Sequence, residues 1–353
     1  MGIKPSKCKS IFYNLQLPNY LNIKIFLLLT PEFLKFTYPT KQNFYFQKIF
    51  LSPHFSLSLL SSLSVFLSPR SLLTLPLPPS LFALPLSSLF LNGEHLGQYL
   101  LTEHIKVDEN RVDITEMETT DNSGEAVTGG YLLELDFHYD NVWQWKGASG
   151  TPFAVKYPDE EDLTEQQFAW IKSHIAQVES VLYGGDFADA ESGYAKYIDP
   201  ESFVDYWLIY EICVNHELGN PGSVYLSKDR NGKLFAGPVW DFDWGTFSFK
   251  ASPHAEWGLF IQWAWWYDRL FKDEAFTALA RERWALLKPR FEQIFDFIAT
   301  ESDYIRLSWQ RNFALWSIST DINGDEKLTF DAAVERMISV LRRRIDIIDT
   351  ALR

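Results

Sequence analysis

An α+β fold is predicted by three features of the 353-residue sequence. Strand-length segments separated by turn dipeptides are gathered between Phe90 and Tyr157. Apolar residues at helical spacing dominate from Thr164 onward, and one hairpin, VYLSKDRNGKLFAGPVW, lies between helices. Strands first and helices later, without regular βαβ alternation, is the pattern of an antiparallel sheet with helices segregated beside it.

The first third departs from that pattern. Before Glu94 the only acid is Glu32 against eight Lys or Arg, whereas the remainder holds 45 acids against 24 bases, so a whole-chain charge of −14 is divided into +7 and −21. Residues 51–91 consist largely of Leu, Ser, Pro and Phe. The uncharged run Ile49–Pro69 has the length of a membrane span but carries seven serines and Pro53, and residues 71–93 are broken by Pro76, Pro78, Pro79 and Pro85. A late apolar stretch at 23–29 without a small-residue cleavage site is a poor signal peptide. Residues 1–88 are therefore set apart from a domain at 89–353, as a membrane-associated or disordered leader, a divergent domain, or a stretch read in a different frame, the last being favoured for the abruptness of the change at Phe90–Glu94.

From Phe90 each element has a local reason. Asn92-Gly93 between apolar residues is the dipeptide of a type I′ hairpin, because both central residues need positive φ. EHIKVDENRVDI alternates around Asp108-Glu109-Asn110, and Gly129-Gly130 leads into the strand YLLELDFHYD, with Leu133 and Leu135 opposite in facing to Glu134. PFAVKYP is a further strand carrying Lys156. Phe168, Ile171, Ile175, Val178 and Leu182 recur at helical spacing over Thr164–Tyr183. Pro200–Val214 forms a second helix with Phe203, Trp207, Tyr210 and Cys213 on its apolar side, and an amphipathic helix runs from about Asp331 to Leu352.

Composition narrows function. A net charge of −14 on the chain, and of −21 from Glu94 onward, disfavours a nucleic-acid partner, and no stable membrane span is expected within 89–353. Two cysteines and seven scattered histidines, without a closely spaced pair, exclude a disulfide framework and disfavour zinc. The stretch GPVWDFDWG places Asp241 and Asp243 between two tryptophans. Ionised carboxylates in apolar surroundings need a partner, which is a cation, a helix cap or backbone amides.

The segments FLNGEHLGQYLLTEHIKVDENRVDI, GGYLLELD followed by PFAVKYP, YEICVNHELGNPGSVYLSKDRNGKLFAGPVWDFDWGTF and YDRLFKDEAFTALARERW occur in one order over about residues 89–315. In that combination the chain resembles the spore-coat protein H (CotH) kinases, a bacterial family of atypical protein kinases. The resemblance implies an atypical kinase-like fold, with an N-terminal antiparallel β region and a helical C-terminal part. It also implies transfer of the ATP γ-phosphate to Ser or Thr of a protein, with Mg²⁺ or Mn²⁺. Asp241 stands at the family's metal-binding acid, and Asp243 adds a second oxygen if the strand continues through it. Glu217 occupies the place of the family's catalytic aspartate, one methylene longer, and Ser223 a place where some relatives carry asparagine. For the phosphate-binding cation Lys156 comes first and Lys106 second, oriented by Glu134 or Glu103. A surface or secreted location is favoured over the cytoplasm.

Other readings are an inactive or nucleotide-binding-only descendant, truncated at its N-terminus, and a secreted carbohydrate-active protein using Trp257, Trp263, Trp265 and Trp266. Carboxylates one residue apart lie too close for the usual glycosidase pair. DINGDEKLTFDA imitates a calcium loop through Asp321, Asn323 and Asp325 but has Ala332 at the bidentate position, and reads as a turn before a helix capped by Thr329.

Overall fold

The computed structural model describes residues 14–15, 23–24, 86–100, 105–242, 245–316 and 328–353. The chain divides into two units, Met1–Phe44 and Tyr45–Arg353. In the first, β1 (Asn14–Leu15) pairs antiparallel with β2 (Ile23–Lys24); the rest of the expected leader, up to residue 85, lies outside the described residues.

In the second unit, β3 (Leu86–Leu91) and β4 (Glu94–Leu100) form the hairpin expected at Asn92-Gly93, with φ of 51° and 83° at the two turn residues. β3 runs through the boundary expected at 88/89. The hairpin is fastened to a distant helix end, because Gln98 N donates to Asn312 Oδ1 at 2.9 Å and Trp316 Nε1 to Leu96 O at 3.0 Å. Gly97 sits beneath these groups with φ 122°, and a Cβ there would lie 2.8 Å from Trp316 Nε1.

The main sheet has five strands, all antiparallel, in the order β6-β7-β5-β8-β9. They are β5 (Tyr131–Leu135), β6 (Gln144–Lys146), β7 (Pro152–Tyr157), β8 (Val224–Lys228) and β9 (Leu234–Ala236). Every residue of the central strand β5 is buried, because both of its faces are covered. Tyr131, Leu133 and Leu135 enter the main core, while Leu132 packs with Val112 and Tyr225 in a small second cluster bordered by Ile105, Ile114, Tyr157 and Trp240. Glu134 is thus buried too, at 7% exposure.

Helix α1 (Glu165–Leu182) starts at a capping box, Thr164 accepting from Gln167 N and Gln167 Oε1 from Thr164 N, and buries Ile171, Ile175, Val178 and Leu182. Helix α2 (Pro200–Cys213) is capped by Asp199 and is buried on all sides from Ser202 to Cys213, not along one apolar side as the sequence suggested. Its two interior acids each meet a buried arginine: Asp205 takes Arg283 at 2.6 Å and Glu211 takes Arg344 at 2.5 Å. A short α3 (Tyr267–Leu270) precedes α4 (Glu274–Leu315), which continues through Pro289 although that residue has no N–H to give. α5 (Phe330–Ala351) begins where Thr329 accepts from Ala332 N at 3.2 Å. α2 packs against both α4 and α5. The calcium-loop look-alike at Asp321, Asn323 and Asp325 lies outside the described residues. No helix among the described residues is long and apolar enough to cross a membrane.

Candidate functional site

Register brings the first part of the site together. Glu134 on β5 stands opposite Ala154 on β7 and opposite Tyr225 on β8. Lys156, two residues further along β7, reaches it diagonally. Lys156 Nζ lies 3.2 Å from Glu134 Oε2, and Tyr225 Oη donates to Glu134 Oε1 at 3.1 Å, so each carboxylate oxygen has its own partner. Lys156 also donates to Asn141 Oδ1 at 3.1 Å. Its side chain is 37% exposed against 9% for Glu134, which aims the ammonium outward from a buried acid. A pair this exposed contributes at most about 1 kcal/mol of stability, so its meaning is geometric. An ammonium has three donors, and two are used here.

The second part forms where β9 ends. The strand stops at Ala236 and does not run on to the acids as expected. Pro238 cannot donate to a ladder, and Asp241 has φ 62°. The alternation argument for Asp243 therefore fails, and Asp243 itself lies outside the described residues. Asp241 faces solvent, while Phe242 beside it is buried on the Tyr210 ring, 4.6 Å between centroids. Ser223, with φ 55° just ahead of β8, donates its hydroxyl to Asp241 Oδ2 at 3.3 Å. Two non-glycine residues held in the left-handed region touch each other here, a conformation that gathers at functional sites. The protein bulk around the Asp241 carboxyl raises its pKa, and the Ser223 hydroxyl opposes the rise.

The third part is the loop after α2. Val214 ends the helix at φ 58°, and Glu217 opens a short 3₁₀ turn, Glu217–Gly219. Asn215, fully buried, holds this loop at both ends: its Oδ1 accepts from Glu217 N at 2.9 Å and its Nδ2 donates to Thr246 Oγ1 at 3.0 Å. Phe247 N adds a bond to Cys213 O at 2.8 Å, so the stretch following the acid motif is sewn to the loop carrying Glu217. Gly245 explains the motif's closing glycine, since φ is 70° and a Cβ would lie 2.6 Å from the His216 ring. Half-buried His216 contacts Ser252 Oγ through Nδ1 at 3.1 Å, and burial lowers its pKa.

Electrostatics joins the three parts. Burial, then Glu134, then Asp241 raise the pKa of Tyr225, so both carboxylates act on one phenol. Burial pushes Tyr206 up to about 12, with Glu217 and Glu134 adding to the rise. Tyr206 Oη accepts from Tyr225 N at 3.2 Å, in a position where β9 offers no ladder partner.

Lys156, Glu134 and Tyr225 thus form one linked group, Ser223 just ahead of β8 joins Asp241, and Asn215 and Phe247 tie the Glu217 loop to the stretch that follows Asp241. Lys106 joins none of these through any described contact, being paired with Asp108 at 3.4 Å in the turn before Val112. Glu103 lies outside the described residues. Asn141, Asn215, Tyr206 and Tyr225 were missed from sequence. Of the four, Asn215 had a signal, because it lies two residues before Glu217 in VNHE. The four tryptophans do not form one surface: Trp257 and Trp263 are exposed, Trp265 is partly buried and Trp266 is fully buried. Among the described residues no three His, Cys, Asp or Glu converge on a point. The carboxylate and hydroxyl of Asp241 and Ser223 are hard oxygen donors of the kind magnesium accepts, and an outward ammonium with two of its three N–H groups bonded among the described residues suits a phosphate.

Residues 74–348 match the family model described as CotH kinase protein. No curated protein matches the chain.

Proposed function

The chain belongs to the CotH kinase family, the match covering most of its length, and from that premise we propose that it transfers the γ-phosphoryl group of ATP to a Ser or Thr hydroxyl of a protein. The observation that supports this most is the ion pair of the outward-facing Lys156 with the buried Glu134, at 3.2 Å. Phosphoryl transfer asks a protein chiefly for positioning and for charge around the phosphates. Lys156, held by Glu134 and Asn141, donates its remaining N–H to a phosphate oxygen. Asp241, with the Ser223 hydroxyl beside it, would hold Mg²⁺ or Mn²⁺, and a divalent cation there would supply positive charge against the triphosphate. Glu217 Oε takes the proton of the acceptor hydroxyl, and Asn215 keeps the loop that carries it against Thr246.

The test is ATP binding and autophosphorylation in Mg²⁺ or Mn²⁺, for the unaltered chain and for Asp241→Ala. The unaltered chain should bind and label, with transfer lost by roughly 10²-fold in the variant. Absence of nucleotide binding by the unaltered chain defeats the reading. Binding without transfer would make the protein nucleotide-binding only, the result that Glu217 in place of aspartate and Ser223 in place of asparagine would produce.

A further inference from the structure

We propose that Tyr225 is a positioning residue, whose hydroxyl fixes the rotation of the Glu134 carboxylate and through it the direction of Lys156. The inference rests on the phosphotransfer reading above and assigns a role to a side chain that the reading does not require.

A phenylalanine would fill the space. The Tyr225 ring packs against Leu132 and Val112 in the smaller apolar cluster, and nothing in that packing calls for an oxygen. The residue is 8% exposed, so its hydroxyl needs an acceptor within the protein. It finds Glu134 Oε1 at 3.1 Å, directly across the strand pair. A carboxylate bonded to a lysine alone can turn about its terminal torsion, which is broad. With Oε1 claimed by the phenol, Oε2 is the oxygen left for Lys156, at 3.2 Å. Asn141 takes a second proton of the same ammonium at 3.1 Å, so one N–H has a defined outward direction.

Tyr225 is itself held. Its backbone N donates to Tyr206 Oη at 3.2 Å, and Tyr206 shares a hydrogen bond of 3.2 Å with Tyr210, on whose ring Phe242 packs. Ser223, which donates to Asp241, lies two residues before it in the chain. The residue that orients the cation is thus anchored to the same helix that supports the acid motif.

The experiment compares the full chain with Tyr225→Phe, Glu134→Gln and the double variant. Three quantities are read: KM for ATP against kcat, the thermal midpoint, and acylation of Lys156 by an amine-reactive probe, by peptide mass spectrometry. Tyr225→Phe should raise KM for ATP about fivefold to tenfold, the worth of one hydrogen bond, with kcat changed less than about twofold, a loss of binding felt equally by the ground state and the transition state. Lys156 acylation should shift toward its value in Glu134→Gln, and Tyr225→Phe should add nothing further on that background. Replacing Tyr225 by p-aminophenylalanine, which keeps a donor, should restore KM. An unchanged KM with unchanged Lys156 labelling, a purely thermal loss, or an equal extra loss on the Glu134→Gln background overturns the proposal. If the unaltered chain binds no ATP, the kinase reading falls, and Lys156 labelling alone then decides the role of Tyr225: a shift supports it and no shift overturns it.

Discussion

Replacing Arg344 by methionine removes a guanidinium that is fully buried and that reaches four acceptors. They are Glu211 Oε2 at 2.5 Å, Glu211 O at 2.9 Å, Gly258 O at 2.8 Å and Ala255 O. Left behind is the Glu211 carboxylate on α2, held by the amides of Phe260 and Ile261. Breaking a buried pair from one side costs roughly 3–5 kcal/mol, because the surviving charge stays in the interior. In a chain of this size that is a fall of roughly 10 °C in Tm. Burial already pushes Glu211 up to about 7 against the opposing pull of Arg344, and loss of the guanidinium raises it further. A carboxyl whose folded pKa exceeds its unfolded value makes the fold bind more protons, so the stability it contributes at low pH is lost as pH rises from about 4.5 through the folded value. The deficit of Arg344→Met should therefore be smallest near pH 5 and largest near pH 8. Urea unfolding followed by tryptophan fluorescence at both pH values measures it. The double variant Glu211→Met with Arg344→Met should recover most of the loss, since no charge is then stranded. A deficit below about 1 kcal/mol, or one equal at the two pH values, would refute the reasoning.

Two further substitutions probe other joints. Asn215→Ala strands Thr246 Oγ1 and Glu217 N, and should cost about 2–3 kcal/mol while lowering phosphotransfer at least about tenfold; full turnover in a destabilised variant would show that the Glu217 loop holds its place without Asn215. Lys228, 2% exposed and donating to Thr128 O and Asp229 O, has its pKa pushed down to about 8 by burial. A folded pKa below the unfolded 10.5 means that the fold binds fewer protons between those values, so stability rises with pH from about 8 to about 10.5. Lys228→Met should flatten that rise in a pH series of denaturant midpoints, and an unaltered slope would locate the titration elsewhere.

Local chemistry made much of the fold legible. The Asn92-Gly93 turn, the Thr329 cap and the hairpin around Asp229–Gly232 depend on neighbours in sequence, and they stand where the residues indicated. Long-range burial was not legible. α2 reads as amphipathic until α4 and α5 cover its other sides, and its acids Asp205 and Glu211 look like solvent-facing residues until Arg283 and Arg344 arrive from 78 and 133 positions away. The same limit applies at the site. Lys156 and Glu134 could be nominated by residue type, but Tyr225 and Asn141 were indistinguishable from ordinary strand and loop residues before the register was known. Asp241 shows a different failure: alternation assumed a strand, and the chain leaves strand geometry at Ala236.

That departure sets the direction of the acid motif. Had β9 continued through residue 241, the carboxylate would have been committed to a side of the sheet by alternation alone. Instead Phe242 is drawn into the core against Tyr210, and Asp241 takes a left-handed conformation that turns it to solvent beside Ser223. The cost of that conformation, of order 1–3 kcal/mol, has to be met by surrounding contacts. Those contacts trace back to α2: Tyr210 under Phe242, Tyr206 at the start of β8, and the helix end that delivers Asn215 and Glu217. A helix buried all round is an uneconomical way to make a surface, but it gives one rigid body to which all three parts of the site are attached. Substitutions that loosen α2 from within, such as Tyr206→Phe, should therefore disturb the cation, acid and loop parts together.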